Sequence, residues 1–230
     1  MKILSIDTSS KICSVAVLED TILLKEYSQN NGLTHSETLM PIIKEVLSLL
    51  NLKLSDIDLI VCDKGPGSFT GIRIGIATAK AFADSLNIPV SGVTSLEALA
   101  YNVDFDGIIC PIIDAKNDNV YTCVFEKIGN KFLLQRNFSV ENIESLLSSF
   151  KGVSYDVNFV GDGVLRYKDK IEKILPNSMC VSNNDLSSYN LGLAGFRHFS
   201  DNDLYDLLPL YLRKPQAERI LEDRLKNGNK

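Results

Sequence analysis

Short apolar runs open this chain in a strand rhythm. Ile3 to Asp7 and Ile12 to Leu18 read as strands, and Thr21 to Tyr27 reads as a third after the turn at Glu19-Asp20. The period then becomes helical. Apolar residues at 39, 40, 42, 43, 46, 47, 49 and 50 predict a helix over 36–50. Thr34 and Glu37 stand at capping-box spacing just ahead of it. Pro41 falls inside this pattern, where its ring would crowd a carbonyl one turn back. The helix is therefore expected either to kink or to start later. A strand over 57–62, a helix over 71–86, a strand over 89–94 and a short helix over 95–102 complete this part.

The acidic stretch Asp104-Phe105-Asp106-Gly107 reads as a boundary, and after it the pattern begins again. Ile108 to Asp114, Val120 to Ile128 and Lys131 to Phe138 read as strands, with a turn at Gly129-Asn130. A helix is expected over 140–150, a strand over 157–160 closing on Gly161-Asp162-Gly163, and a helix to about Leu175. Each half reads β-β-β-α-β-α, and each first strand ends in an aspartate, Asp7 and Asp114. Three meandering strands followed by alternating helices and strands predict an α/β protein with mixed sheets and helices on their faces. The shared order predicts two lobes, 1–105 and 106–230.

Between the strand over 57–62 and the next helix lies Gly65-Pro66-Gly67-Ser68-Phe69-Thr70-Gly71, followed by Ile72-Arg73-Ile74-Gly75. Glycine allows close backbone approach and proline fixes φ, so this is a sharp, stiff corner. It is either a phosphate cradle or a corner that sets how the helix packs. The cradle reading lacks the Lys-Ser/Thr pair of a Walker loop, because Gly71 is followed by Ile72-Arg73. It also lacks the dinucleotide spacing and its later acid. In the helix beyond, Gly71, Gly75, Ala79 and Ala83 form a stripe of small residues, flanked by Ile72, Ile76, Phe82 and Leu86. Ile74, Ala77 and Ala81 lie on another side, and only Arg73, Lys80 and Asp84 mark a polar strip. Such a helix is expected to be covered on two sides. The stripe faces either a partner helix or the chain's own sheet.

Composition narrows the function classes. The 230 residues are 45% hydrophobic and 23% charged, with a net charge of −5. No basic stripe of the kind that grips nucleic acid is present. The last eighteen residues, from Arg213, carry six Lys/Arg against three Asp/Glu and read as a weakly basic solvated helix. The five cysteines, at 13, 62, 110, 123 and 180, are scattered without a C-x-x-C and read as small buried hydrophobes in a reducing compartment. The N-terminus meets a charge too early for a signal peptide, and no apolar run approaches the roughly 18 residues of a membrane span. A cytoplasmic protein without a membrane contact is expected.

The doubled β-β-β-α-β-α plan resembles the actin-like (ASKHA, RNase H-like) architecture. Within it, several segments resemble the TsaB (YeaZ) family. They are Ile3-Leu4-Ser5-Ile6-Asp7-Thr8-Ser9, Thr34-His35-Ser36-Glu37 with Pro41, and the run from Gly65 to Gly75. Asp114-Ala115 with Val120-Tyr121, Gly161-Asp162-Gly163 and Pro209-Leu210-Tyr211-Leu212-Arg213 join them. The family often has an arginine soon after the Asp-Ala pair, where this chain has Lys116-Asn117. The resemblance implies a non-catalytic subunit of the bacterial machinery that makes threonylcarbamoyladenosine in tRNA. Its implied partners are a TsaD-like catalytic subunit and a TsaE-like ATPase. Alone it is expected to homodimerise, and to meet tRNA only through the complex. The expected partner surface is Gly71, Ile72, Gly75, Ile76, Ala79, Phe82 and Ala83.

The competing class is an actin-like ATPase or small-molecule kinase that binds nucleotide with Asp7 and Asp114. In such enzymes glycine normally follows the first aspartate, letting backbone N–H groups reach the phosphates, and neither loop here has the needed glycine. Thr8-Ser9-Ser10 and Ala115-Lys116-Asn117 follow here. Metal binding at His35 lacks a second histidine four residues on, because that position is Leu39. A peptidase would need a nucleophile with a histidine base, and Gly67-Ser68-Phe69-Thr70-Gly71 has the wrong spacing for a nucleophile elbow. No cofactor and no catalytic residue are expected.

Overall fold

The computed structural model describes residues 1–30, 32, 34–199, 207–214 and 218. In the first half, β1 (Lys2–Asp7), β2 (Cys13–Glu19) and β3 (Ile22–Gln29) form an antiparallel meander. Then come α1 (His35–Leu49), β4 (Leu59–Asp63), α2 (Phe69–Leu86), β5 (Val90–Val93) and α3 (Ser95–Ala100). The second half repeats this with β6 (Gly107–Asp114), β7 (Asn119–Ile128), β8 (Lys131–Asn142), α4 (Ile143–Ser149), β9 (Val157–Val160), α5 (Asp162–Ile174), β10 (Met179–Cys180) and α6 (Ser188–His198). The sheets run β3-β2-β1-β4-β5 and β8-β7-β6-β9-β10, so the two halves share one topology.

Burial explains why the central strands are apolar at almost every position. Both faces of β1 and β4 are covered, as expected for parallel neighbours inside an α/β sheet. Leu4, Ile6, Ile60 and Cys62 face a core shared with α1 and α2. Ile3, Leu59 and Val61 point the other way, into a core closed by Leu191 and Ala194 of α6. In the second half, Cys110, Ile112 and Phe159 pack with α4 and α5. Ile109, Phe125 and Val160 pack against Leu96, Leu99 and Ala100 of α3. Thus α3, from the first half, covers the second sheet, and α6, from the second half, covers the first. The two sheets share no strand, yet each is covered in part by a helix from the other half.

Three expectations change. The helix expected over 140–150 starts at Ile143, because Val140 to Asn142 extend β8. Asn142 Oδ1 accepts the Glu144 amide at 2.9 Å and caps the shortened helix. The helix expected over 71–86 starts earlier, at Phe69, with Ser68 as its cap. Finally, β10 and α6 complete the second copy where the sequence pattern announced nothing. Pro41 sits inside α1, which does start at the Thr34 cap. There the Thr34 amide donates to Glu37 Oε2 at 3.0 Å.

Candidate partner face and carboxyl sites

The glycine corner is a point of backbone contact with the β1–β2 loop. Ser68 N–H donates to the Ser9 carbonyl at 2.7 Å, and Thr8 Oγ donates to the Gly71 carbonyl at 2.7 Å. A Cβ on Gly67 would stand 2.3 Å from Ser9 O, and one on Gly71 would stand 1.8 Å from Thr8 O. The glycines are there because another main chain occupies the space a side chain would need. The amides of Gly65, Ser68 and Gly71 all have acceptors within the fold: Asp63 Oδ1, Ser9 O and Ser68 Oγ. A phosphate would have to displace them.

This corner turns the small stripe of α2 inward. Gly71, Ile72, Gly75, Ile76, Ala79 and Ala83 are buried in the chain's own fold, and Phe82 is half-buried against the same core. Gly75 faces Thr8 and Cys62, so the stripe lets α2 settle onto β1 and β4. Thr70, Arg73, Ala77, Ala81 and Asp84 stand exposed on the opposite side, with Ile74 half-buried among them. On α1, which lies on the same side of the sheet, Met40 and Leu49 are large exposed apolar residues. The small stripe expected to meet a partner thus meets the first sheet instead. The exposed apolar positions of α2 are Ala77 and Ala81, with Ile74 half-buried beside them.

The two strand-end aspartates lie in unlike surroundings. Asp7 and Asp63 end the neighbouring strands β1 and β4, and each is only 1% exposed. Burial raises both carboxyls, and the adjacent Asp7 charge pushes Asp63 further. Ser9 donates its N–H to Asp7 Oδ1 at 2.7 Å and its hydroxyl to Asp63 Oδ2 at 2.9 Å. Ser95 Oγ and Gly65 N–H donate to Asp63 Oδ1 at 2.8 and 2.6 Å. Asp114, in contrast, lies between cations. Lys116 Nζ is 2.7 Å and Arg166 Nη1 3.1 Å from its Oδ2. Burial acts to raise Asp114, but the hydrogen bonds and charge of Lys116, with Arg166, hold it below the usual carboxylate range. No described hydrogen bond or ion pair joins Asp7 to Asp114, and the sequence did not single out Asp63, the real partner of Asp7.

The other candidates are local. His35 Nε2 lies 2.8 Å from the Ser10 carbonyl, on the corner side of α1. His198 approaches Glu97 at 3.8 Å. Among the described residues no group of three or more His, Cys, Asp and Glu is placed to hold a metal ion. The cysteines are free; four are buried, and burial pushes the Cys110 thiol up to about 12. No helix among the described residues is long and apolar enough to cross a membrane.

Residues 207–214 supply a feature that sequence periodicity did not reveal. Leu207 is buried in the first core, and Leu210 N–H donates to Lys64 O at 2.7 Å. The Tyr211 ring stacks on Phe69 at 4.4 Å, and Arg73 Nε donates to its hydroxyl at 2.8 Å. Arg213 then donates to the Ala115 carbonyl in the second half. The segment is a strap from the glycine corner to the Asp114 loop.

Doubled five-stranded mixed sheets with exchanged covering helices define an actin-like two-lobed α/β protein. A solved structure of that fold, the activator of the 2-hydroxyisocaproyl-CoA dehydratase from Clostridium difficile with bound ADPNP, superposes with a TM-score of 0.53. It is 13% identical, covers 86% of this chain and 95% of its own, and supports the fold alone. YeaZ from Pseudomonas aeruginosa superposes with a TM-score of 0.74 at 27% identity, over 92% of this chain and 99% of that one. The TsaD family model, described as tRNA N6-adenosine threonylcarbamoyltransferase, matches residues 27–192. The tRNA threonylcarbamoyladenosine biosynthesis protein TsaB of Bacillus subtilis (strain 168) is 34% identical over 95% of this chain and 96% of its own. The chain belongs to the TsaB family.

Proposed function

We propose that this chain is a subunit without an active site of its own, pairing with a TsaD-like catalytic subunit to make threonylcarbamoyladenosine in tRNA. The observation that carries this reading is the exposed face of α2, where Ala77 and Ala81 are uncovered beside Arg73 and the half-buried Ile74. Small and apolar residues on an exposed helix face suit close helix packing by another chain. The same face would serve a homodimer when the subunit is alone, so the two assemblies compete. The enclosure of Asp7 with Asp63 and the neutralisation of Asp114 support the non-catalytic part. A TsaE-like ATPase joins the assembly, and tRNA is met through the complex, since this chain carries a net charge of −5.

The test mixes the purified chain with the TsaD-like subunit of its own source for sedimentation, and adds tRNA, the TsaE-like ATPase and an activated threonylcarbamoyl donor for a tRNA-modification assay. The expected result is a complex and modified tRNA only when the catalytic subunit is present. Ala77→Arg with Ala81→Arg should abolish the complex without changing the melting temperature, while Asp84→Ala leaves it intact. An undiminished complex in the double variant would discard this docking face. Modification by this chain alone would discard the non-catalytic reading.

A further inference from the structure

Four carboxyl oxygens meet where β1 and β4 end, and three of them have donors. Asp7 Oδ1 takes the Ser9 amide; Asp63 Oδ1 takes Gly65 N–H and Ser95 Oγ; Asp63 Oδ2 takes Ser9 Oγ. Asp7 Oδ2 is buried and has no hydrogen-bond donor. Asp63 is nevertheless its neighbour: Ser9 touches both carboxyls, and the parallel register of β1 and β4 carries the two strand ends side by side. No described ion pair involves either carboxyl. Other titratable groups acting on the pair are His35 from α1, Cys13 from β2 and Cys62 from β4. The His35 ring has its Nε2 at the Ser10 carbonyl, and neither thiol is a cation. Two carboxylates in one buried pocket, served by the same serine and without a described ion pair, are costly to keep ionised together.

We propose that Asp7 and Asp63 hold one proton between them, and that this proton locks the glycine corner onto the β1–β2 loop. The proton makes the missing fourth contact, from one carboxyl to Asp7 Oδ2. Ser9 spans the lock: it donates to both aspartates and accepts Ser68 N–H, the amide of the residue that caps α2. Ser95, the first residue of α3, extends it: its one hydroxyl proton lies between Asp63 Oδ1 at 2.8 Å and the Pro66 carbonyl at 2.9 Å. Loss of the proton puts two like charges face to face between these loops, and the corner opens.

The sign of the pH dependence follows. The folded chain keeps a proton that the unfolded chain releases above the ordinary carboxyl value of 3.8. The stabilisation is complete below that value and falls as pH rises through the raised folded value. Infrared spectra of the whole chain at pH 7 should contain a protonated-carboxyl band that Asp63→Asn removes and Asp162→Asn does not. Asp162 is the control because burial raises it too. Asp63→Asn supplies an amide N–H in place of the proton, so its melting temperature should fall less between pH 5 and 9 than that of the natural chain. Exchange of the Gly65 and Ser68 amides should accelerate beyond the intrinsic pH effect only in the natural chain. If Asp63→Asn does not fold, Asp7→Asn takes its place in each measurement. A natural chain without the band at pH 7, or an unchanged pH slope in the folded variant, overturns the proposal.

Discussion

Gly71 carries more of the corner than any cap or ion pair beside it. Its missing side chain leaves room for the Thr8 carbonyl, and its own carbonyl receives the Thr8 hydroxyl. Gly71→Ala would force apart two buried backbones that have no flexible tip to move. Overpacking costs about 1–3 kcal/mol, and a backbone neighbour puts this case at the top of that range. Ser68→Ala removes only a cap, worth about 1 kcal/mol. Urea unfolding of the two variants should therefore give a larger midpoint loss for Gly71→Ala. The reverse order would mean that the corner tolerates separation from Thr8.

At the scale of elements, α2 and α6 use small residues for the same purpose. Ala79 is fully buried on the sheet side of α2. Ala79→Leu should lower folding stability by about 1–3 kcal/mol. Any folded dimer should keep its natural affinity, because that side does not reach the surface. In α6, a Cβ on Gly195 would stand 2.5 Å from both Val61 methyls, and one on Gly192 2.7 Å from Leu18. In an isolated helix, glycine to alanine gains about 1 kcal/mol. Here Val61 is a stiff β-branched residue of a central strand and cannot turn away. Gly195→Ala should thus lower the melting temperature. A rise would show that α6 sits further from the sheet than its contacts indicate.

For the whole molecule, the exchange of α3 and α6 ties the halves together, and the 207–214 strap adds a third tie. A fragment of residues 1–105 keeps all of its strands but loses α6. Ile3, Leu18, Leu59 and Val61 would then face water. Burial of each is worth about 1.5–3 kcal/mol, so the loss is roughly 6–12 kcal/mol. That is about the whole stability of a domain. The fragment should bind a hydrophobic dye and lack near-ultraviolet circular dichroism, and co-expression with 106–230 should end the dye binding and restore the dichroism. A fragment that melts cooperatively alone would make the lobes independent.

The sequence by itself determined the repeating order of strands and helices. Strand and helix periods, and the turn residues between them, are local properties of the chain. It also marked the glycine corner, by its density of glycine and proline, and the aspartates at 7 and 114, by their equivalent places in the two repeats. It could not decide which side of α2 faces inward, since Gly71, Gly75 and Ala79 suit a sheet as well as a partner helix. The Thr8 and Cys62 side chains decided that by meeting the stripe. Nor could it find α6, where two glycines lower helix propensity and only the sheet beneath explains them. The pairing of Asp7 with Asp63 was equally hidden. Those residues are far apart in the chain, and only the parallel register of β1 and β4 brings two carboxyls to one buried point.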